Sequence, residues 1–303
     1  MHLVERLLSE GNEVVAYDNL SSSTEERVSQ FLADPRFRFV RGDLLDAAHL
    51  TQAVGKADVV FHLAANSDIR SGEQNPNLEL QQGIVATFNV LQAMRENSVG
   101  GIVFTSSSTI YGNAAGRELT EDSGPLVPIS IYGATKLAAE GLICGFCNMF
   151  GIRSWIFRLA NIVGRGATHG VIFDFIRKLR RNPRQLEILG DGKQTKPYLH
   201  VKECVEGMIA GLRNSSQTVN VFNLSPSDAI SVDRIATIVV EEMGLSDVAF
   251  IYTGGSGGWK GDVPRVRFNS NKLGALGWQP RMNSEQAVRR AVREILSEGE
   301  RFV

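Results

Sequence analysis

The chain has 303 residues, 43% of them hydrophobic and 21% charged, and its 32 basic against 33 acidic side chains leave a formal net charge of −1. That length gives ample core for one large α/β domain or two closely packed ones, and so even a charge balance gives no electrostatic reason to expect nucleic acid or a membrane surface as partner. No apolar run reaches the roughly eighteen residues of a spanning helix, Glu5, Arg6 and Glu10 break up any signal peptide, and the 3 cysteines (Cys144, Cys147, Cys204) are too few and too odd for a disulfide scaffold, which suits the cytoplasm.

Residues 2–10 have a helical pattern, and Gly11 and Asn12 lead into a strand at 13–17 (EVVAY) that ends in Asp18. Further strands are expected at 37–40 (FRFV), 58–62 (DVVFH), 102–105 (IVFT) and 154–157, all short and rich in Val, Ile and Phe. Helices are expected between them at 24–33, 47–54 and 78–96, the last opening after Pro76 with Ile84, Phe88, Leu91 and Met94 in helical period, and then at 131–150. Strands alternating with helices imply βαβ units, a parallel sheet covered on both faces, and right-handed crossovers. The fold class is therefore α/β with a doubly wound parallel sheet. Beyond Asn161 the pattern loosens: helices at 171–181, 203–212, 232–243 and 284–297, short strands at 186–189 and 198–201, and a flexible GGSGG at 254–258. A smaller C-terminal region packed on the sheet would leave a cleft for a ligand.

An acidic residue such as Asp18 closes the second strand of a dinucleotide-binding fold and hydrogen-bonds the adenosine ribose, some twenty residues after a G-x-G-x-x-G turn. Here the acid is present, but the glycine turn and the strand before it are not in the sequence. The expectation is a sheet without its first strand and with unpaired edges at its centre.

Tyr132-x-x-x-Lys136 lies in SIYGATKLAAE. Four residues apart on a helix, the two side chains share a face, and an ammonium near a phenol favours the phenolate and draws its pKa towards neutrality, which makes the tyrosine a usable acid/base. Read alone, such a pair is an ordinary feature of a helix surface. Upstream, FTSSSTIYG (104–112) is a strand ending in hydroxyls. Strand C-termini face the ligand crevice of a doubly wound sheet, so a serine there can bond the oxygen that Tyr132 deprotonates.

Together these segments resemble the extended short-chain dehydrogenase/reductases, the NAD-dependent nucleotide-sugar epimerase/dehydratase family. The resemblance runs through AYDNLSSS, GDLLD, FHLAA, TSSSTIYG, YGATK, RLANIVG, GDGKQTKPYLHV and WKGDVP, in the family's order. It implies a Rossmann-type sheet with a smaller C-terminal substrate domain: 1–162 binding the dinucleotide, with 196–228 returning to it, and 163–195 with 229–303 binding substrate. NAD is the implied cofactor, since an acid at a strand end repels the 2′-phosphate of NADP. Asp18 and Asn19 would hold the adenosine ribose, with Ser21, Ser22 and Ser23 beside it; Asp43 and Leu44 would flank the adenine, and Leu63, Ala64 and Ala65 would line the cofactor wall. Tyr132, Lys136 and Ser107 would be catalytic, Lys136 also reaching the nicotinamide ribose. Asn161, Lys196 and Asp262, together with Ser107, would bind a UDP-hexose.

The implied activity is 4-epimerisation by transient oxidation at C4 (UDP-glucose/UDP-galactose), in a homodimer formed through 78–96 and 131–150. Ser107 and Ser108 stand where dehydratases of the family carry acids, Lys196 stands where arginine is common, and Trp259 stands where an arginine often grips phosphate. An asparagine expected near Gly83 is absent, and the small Val266 would leave room for an N-acetylhexosamine. Two alternatives remain open: a related nucleotide-sugar reductase or decarboxylase, and a truncated sugar-nucleotide-binding remnant without activity. Cys144 and Cys147 fall late in a helix, away from the N-terminal position that activates redox thiols, and read as small hydrophobes. The basic run Arg177, Lys178, Arg180, Arg181 and Arg184 reads as a solvated face, His62 and His200 as structural, and no metal spacing occurs.

Overall fold

The computed structural model describes residues 1–66, 71–113, 116–255, 257–258 and 261–299. Its helices are α1 (His2–Ser9), α2 (Glu25–Ser29), α3 (Ala47–Val54), α4 (Ser71–Gln74), α5 (Pro76–Glu79), α6 (Ala86–Glu96), α7 (Ile131–Phe150), α8 (Val171–Arg181), α9 (Val201–Asn214), α10 (Val232–Glu242), α11 (Asn271–Gly274) and α12 (Ser284–Ser297). The strands are β1 (Val14–Asp18), β2 (Phe37–Arg41), β3 (Val59–His62), β4 (Gly101–Ser107), β5 (Glu118–Leu119), β6 (Arg153–Leu159), β7 (Asn161–Val163), β8 (Gln185–Ile188), β9 (Thr195–Lys196), β10 (Tyr198–His200), β11 (Val219–Leu224), β12 (Ile230–Ser231), β13 (Ala249–Tyr252) and β14 (Arg267–Phe268).

Strands β3, β4, β6 and β11 form one parallel sheet in the order β11-β6-β4-β3. Successive residues of a strand point to opposite faces, and both faces here are covered. Ile102, Phe104 and Ile156 pack with Leu50 of α3, Leu91 and Met94 of α6 and Ile143 of α7. On the other face Val103, Trp155 and Phe157 pack with Leu3 of α1 and Met208 and Ile209 of α9. This double cover is why the strands read as unbroken apolar runs, and each large side chain so buried contributes about 1.5–3 kcal/mol.

Strands β1 and β2 form a separate parallel pair. Among the described residues no strand joins β1 to β3, so each has an unpaired edge. The C-terminal half has its own core, in which Phe175 of α8, Leu186 of β8, Ile235 of α10 and Val292 of α12 meet.

Two helices depart from expectation. The segment read as 24–33 is helical only over Glu25–Ser29 and buries none of those residues, so little packing holds it. The segment read as 78–96 is broken by a π-helical turn at Leu80–Val85 between α5 and α6. Gly83 lies in that turn against α7, where an added Cβ would fall 2.7 Å from Thr135 Cβ, so this close approach requires glycine.

Candidate active site

Helix α7 brings the central pair into place. Ser130 caps its N-terminus by accepting from the Gly133 N–H at 3.1 Å, and Gly151 ends it at φ 70°. Gly133 also allows the first turn to dock on the 3-10 turn Ser108–Tyr111 that follows β4; a Cβ there would lie 2.8 Å from the Thr109 carbonyl oxygen.

Lys136 is 5% exposed, and its Nζ donates to the Thr105 carbonyl at 2.8 Å, with the Phe104 ring centre 4.8 Å away. Ser107 ends β4, and its Oγ accepts from the Thr109 N–H at 3.2 Å and from Thr109 Oγ1 at 2.9 Å. Burial, reinforced by the Glu79 carboxylate, pushes the Tyr132 phenol up to about 12, against the pull of a hydrogen bond with Ser107. Burial lowers Lys136 to about 8, opposed by Glu79 and Glu140. The expected fall of the phenol towards neutrality is therefore not what this structure holds: the ammonium points to Thr105, 5.7 Å from the Tyr132 ring centre, and desolvation outweighs it.

In the separate β1–β2 pair, Asp18 closes β1 and its Oδ1 accepts from the Leu20 N–H at 2.7 Å, while Asn19 Oδ1 accepts from Ser21 N–H at 2.9 Å. Asn19 Nδ2 donates to Asp43 Oδ2 at 3.0 Å, and Asn89 Nδ2 of α6 donates to the Leu44 carbonyl at 2.9 Å. These bonds tie together the loops after β1 and β2. Ser21 and Ser22 are exposed and Ser23 is half-buried; Leu63 and Ala64 are exposed and Ala65 is half-buried, directly after β3. All of these positions lie at C-terminal strand ends, where doubly wound sheets bind ligands.

On the substrate side Asn161 opens β7, half-buried. Lys196 Nζ is bonded to the Asp262 carboxylate, whose other oxygen accepts from the Gly258 N–H at 3.0 Å. Trp259 lies outside the described residues. Val266 is 5% exposed and packs with Ile110, Leu119 and Phe268, so its small side chain fills a core.

Cys144 and Cys147 are free thiols that burial raises above the usual range. Arg177, Arg180, Arg181 and Arg184 are exposed. Among the described residues no cluster could hold a metal, and no helix is long and apolar enough to cross a membrane.

Three buried groups escaped the sequence reading. Glu79, 1% exposed, accepts from Asn66 Nδ2 at 2.7 Å beside the central pair. Glu140 and Arg158 form a buried ion pair at 2.8 Å. The signals were present in Glu140, one turn past Lys136, and in Arg158 inside the apolar strand SWIFRL.

The donor set fits NAD: β1 ends in a carboxylate with an asparagine beside it, the kind of group that holds an adenosine ribose, and a buried lysine lies one helical turn from a tyrosine. A parallel sheet wound on both faces, with these groups at its strand ends, defines an extended short-chain dehydrogenase/reductase. The chain belongs to the NAD dependent epimerase/dehydratase family, whose profile matches residues 1–225, and NAD is its cofactor. Among its relatives, the UDP-glucose 4-epimerase of Mycolicibacterium smegmatis is 29% identical over 300 residues, 96% of this chain and 93% of that one. A UDP-glucuronic acid decarboxylase of Arabidopsis thaliana is 26% identical over 314 residues, 99% of this chain and 68% of that one. A solved UDP-galactose 4-epimerase superposes with a TM-score of 0.87 at 38% identity, covering 98% of this chain and 95% of that one.

Proposed function

We propose that the protein is a nucleotide-sugar 4-epimerase that interconverts UDP-glucose and UDP-galactose by transient oxidation at C4. The observation that carries this reading is the Tyr132–Lys136 pair beside a strand end, Ser107 and Ser108, that offers hydroxyls and no carboxylate for eliminating water. The 4-epimerases among its relatives and structural neighbours support it.

Tyr132 takes the proton of the sugar 4-hydroxyl, and Ser107 hydrogen-bonds the same oxygen. NAD, held by Asp18 and Asn19 at one end and by Lys136 at the other, would supply reversible hydride acceptance at C4 and a cationic ring that favours the phenolate. The 4-keto sugar turns over in the cleft, and Tyr132 gives the proton back to the oxygen of the opposite epimer. Lys136 would favour the phenolate electrostatically and would hold the nicotinamide ribose. Asn161 and Lys196 hold the nucleotide and its diphosphate, with Asp262 orienting the Lys196 ammonium. Residues 1–162 and 196–228 bind cofactor, and 163–195 with 229–303 bind sugar nucleotide.

The working form is a homodimer in the cytoplasm, where the free cysteines stay reduced. An apolar groove lined by Ile84, Leu142, Phe146, Met149 and Phe150 supports the dimer, as do Phe88 at 41% and Met149 at 77% exposure. The decarboxylase relative keeps a second reading in view, in which CO₂ is released from a UDP-uronate.

The test is conversion of UDP-galactose, followed by coupled detection of UDP-glucose. Tyr132→Phe is expected to lower kcat by about 10²–10⁴ with an unchanged unfolding midpoint. A variant within tenfold of wild type overturns the catalytic assignment, and CO₂ release from a UDP-uronate without epimerisation selects the second reading.

A further inference from the structure

Three neighbouring strands carry polar side chains on one rung of an otherwise apolar sheet. Ser106 of β4 lies opposite Arg158 of β6, and Arg158 lies opposite Asn223 of β11. None of the three is more than 6% exposed. Glu140 of α7 lands on this rung: Ser106 Oγ donates to its Oε1 at 2.5 Å, and Arg158 donates from Nε to Oε1 at 3.2 Å and from Nη2 to Oε2 at 2.8 Å. Arg158 Nη1 continues to the Tyr111 hydroxyl at 2.9 Å and the Glu121 carbonyl at 2.8 Å. Tyr111 in turn donates to Asn223 Oδ1 at 2.7 Å, and Asn223 Nδ2 donates to the Leu119 and Asn269 carbonyls. No side-chain atom of this network is among the buried polar atoms left without a partner.

Stability is a weak reason for such an arrangement, because well-packed apolar residues in place of a buried ion pair are often neutral or better. Its position is more telling. Tyr132, Lys136 and Glu140 follow each other at four-residue spacing on one face of α7. Lys136 bonds the carbonyl of Thr105 and Glu140 the hydroxyl of Ser106, so α7 is pinned at two consecutive residues of β4, and the next is Ser107. We propose that Glu140 is a positioning residue: clamped between Ser106 and Arg158, it holds Lys136 against the end of β4 and keeps its ammonium charged for the Tyr132–Ser107 pair. This rests on the roles proposed above for Tyr132, Lys136 and Ser107.

The groups facing Lys136 are Glu79 from α5, Glu140 and Tyr132 from α7, His62 from β3, and the Phe104 ring and Thr105 carbonyl of β4. Among the described residues only the two carboxylates oppose the desolvation of the ammonium. Burial holds His62 down to about 3, so it brings no charge near neutral pH.

The experiment is the pH at which Lys136 is half-labelled by acetic anhydride, read by mass spectrometry of its peptide, a readout independent of turnover. Wild type is expected near 8. Glu140→Gln alone strands a buried arginine, so the first variant is Glu140→Gln with Arg158→Met, checked for folding by its urea midpoint. Its labelling midpoint is expected about one unit lower, roughly tenfold more free amine at pH 7. Arg158→Met is the second variant; it leaves Glu140 its charge without its arginine, and the midpoint is expected to rise. Glu140→Asp, which keeps the charge, should restore a midpoint near that of wild type. A wild-type midpoint in whichever of the first two variants folds overturns the proposal. If wild type epimerises no UDP-hexose, the reading of the activity falls, and the labelling still decides the role of Glu140.

Discussion

Replacing Lys136 with methionine is expected to stabilise the fold while abolishing turnover. Lys136 is 5% exposed, and its pKa falls from 10.5 to about 8, chiefly through burial. At 1.36 kcal/mol per unit, that fall is a native-state penalty of about 3 kcal/mol for the charged form, already net of the attraction of Glu79 and Glu140. The folded pKa lies below the unfolded one, so between pH 8 and 10.5 the unfolded chain binds more protons and stability rises with pH through that window. Below pH 8 the penalty is present in full. Methionine fills much of the same space without the charge, but loses the bond to the Thr105 carbonyl, worth about 1 kcal/mol. The variant should therefore be about 2 kcal/mol more stable than wild type at pH 7. Urea unfolding of both proteins at pH 7 and at pH 10 tests this, and the gap should narrow or reverse at the higher pH. A variant less stable than wild type at pH 7, or a gap that ignores pH, would show that Lys136 is not buried as a strained charge.

His62, 3% exposed and bonded to Thr87 Oγ1 at 2.9 Å, is held down to about 3 by burial and then by the charge of Lys136. Its folded pKa lies below its unfolded value of 6.5, so the stability it contributes is present above that value and drains away as the pH falls, by about 2 kcal/mol at pH 5. His62→Gln should flatten that acid limb in urea titrations at pH 7 and 5, and an identical limb in both proteins counts against it. Gly83→Ala should destabilise by about 1–3 kcal/mol despite the better helix propensity of alanine, because its Cβ would meet Thr135 at 2.7 Å; a melting temperature at or above wild type contradicts the close approach. Met149→Asp, at the 77% exposed end of the apolar groove, should convert a dimer into a monomer in sedimentation velocity, and a monomeric wild type removes the dimer reading.

The alternation of strands and helices was legible because the sheet is covered on both faces, so its strands are apolar along most of their length. Helix α7 was legible to the residue, its Ser130 cap and Gly151 stop both being local signals. What could not be read depends on distance. Strand β11 (Val219–Leu224), which pairs along β6, was not expected at all, because its polar residues Asn220 and Asn223 are satisfied by backbone partners distant in the sequence. The π-helical turn at Leu80–Val85 coincides with the close approach of Gly83 to α7, which the apolar period of the segment does not reveal. The Tyr132, Lys136 and Ser107 constellation could be named from spacing and resemblance, whereas the direction of the Tyr132 shift could not. Desolvation, the deciding effect, exists only once the chain is packed.

That shift bears on the proposed cycle. A phenol at about 12 and an ammonium at about 8 are both displaced by burial towards their neutral forms, which is the wrong direction for a base on the phenol's side. A hydrolase drawing protons from water would suffer from such a site. An epimerase cycle has no net proton or hydride exchange: the proton Tyr132 removes from one epimer returns to the other, and the hydride comes back to the carbon it left. In the proposed cycle, limited access of bulk water to the half-buried Tyr132 would take nothing from turnover and would protect the transient 4-keto sugar from side reactions. The charge needed to favour the phenolate is then best supplied inside the site, by a lysine held cationic by its buried carboxylates and by the nicotinamide. Stability and the proposed chemistry thus conflict at Lys136, where the desolvation that weakens the fold would also strengthen the field of the ammonium inside the site.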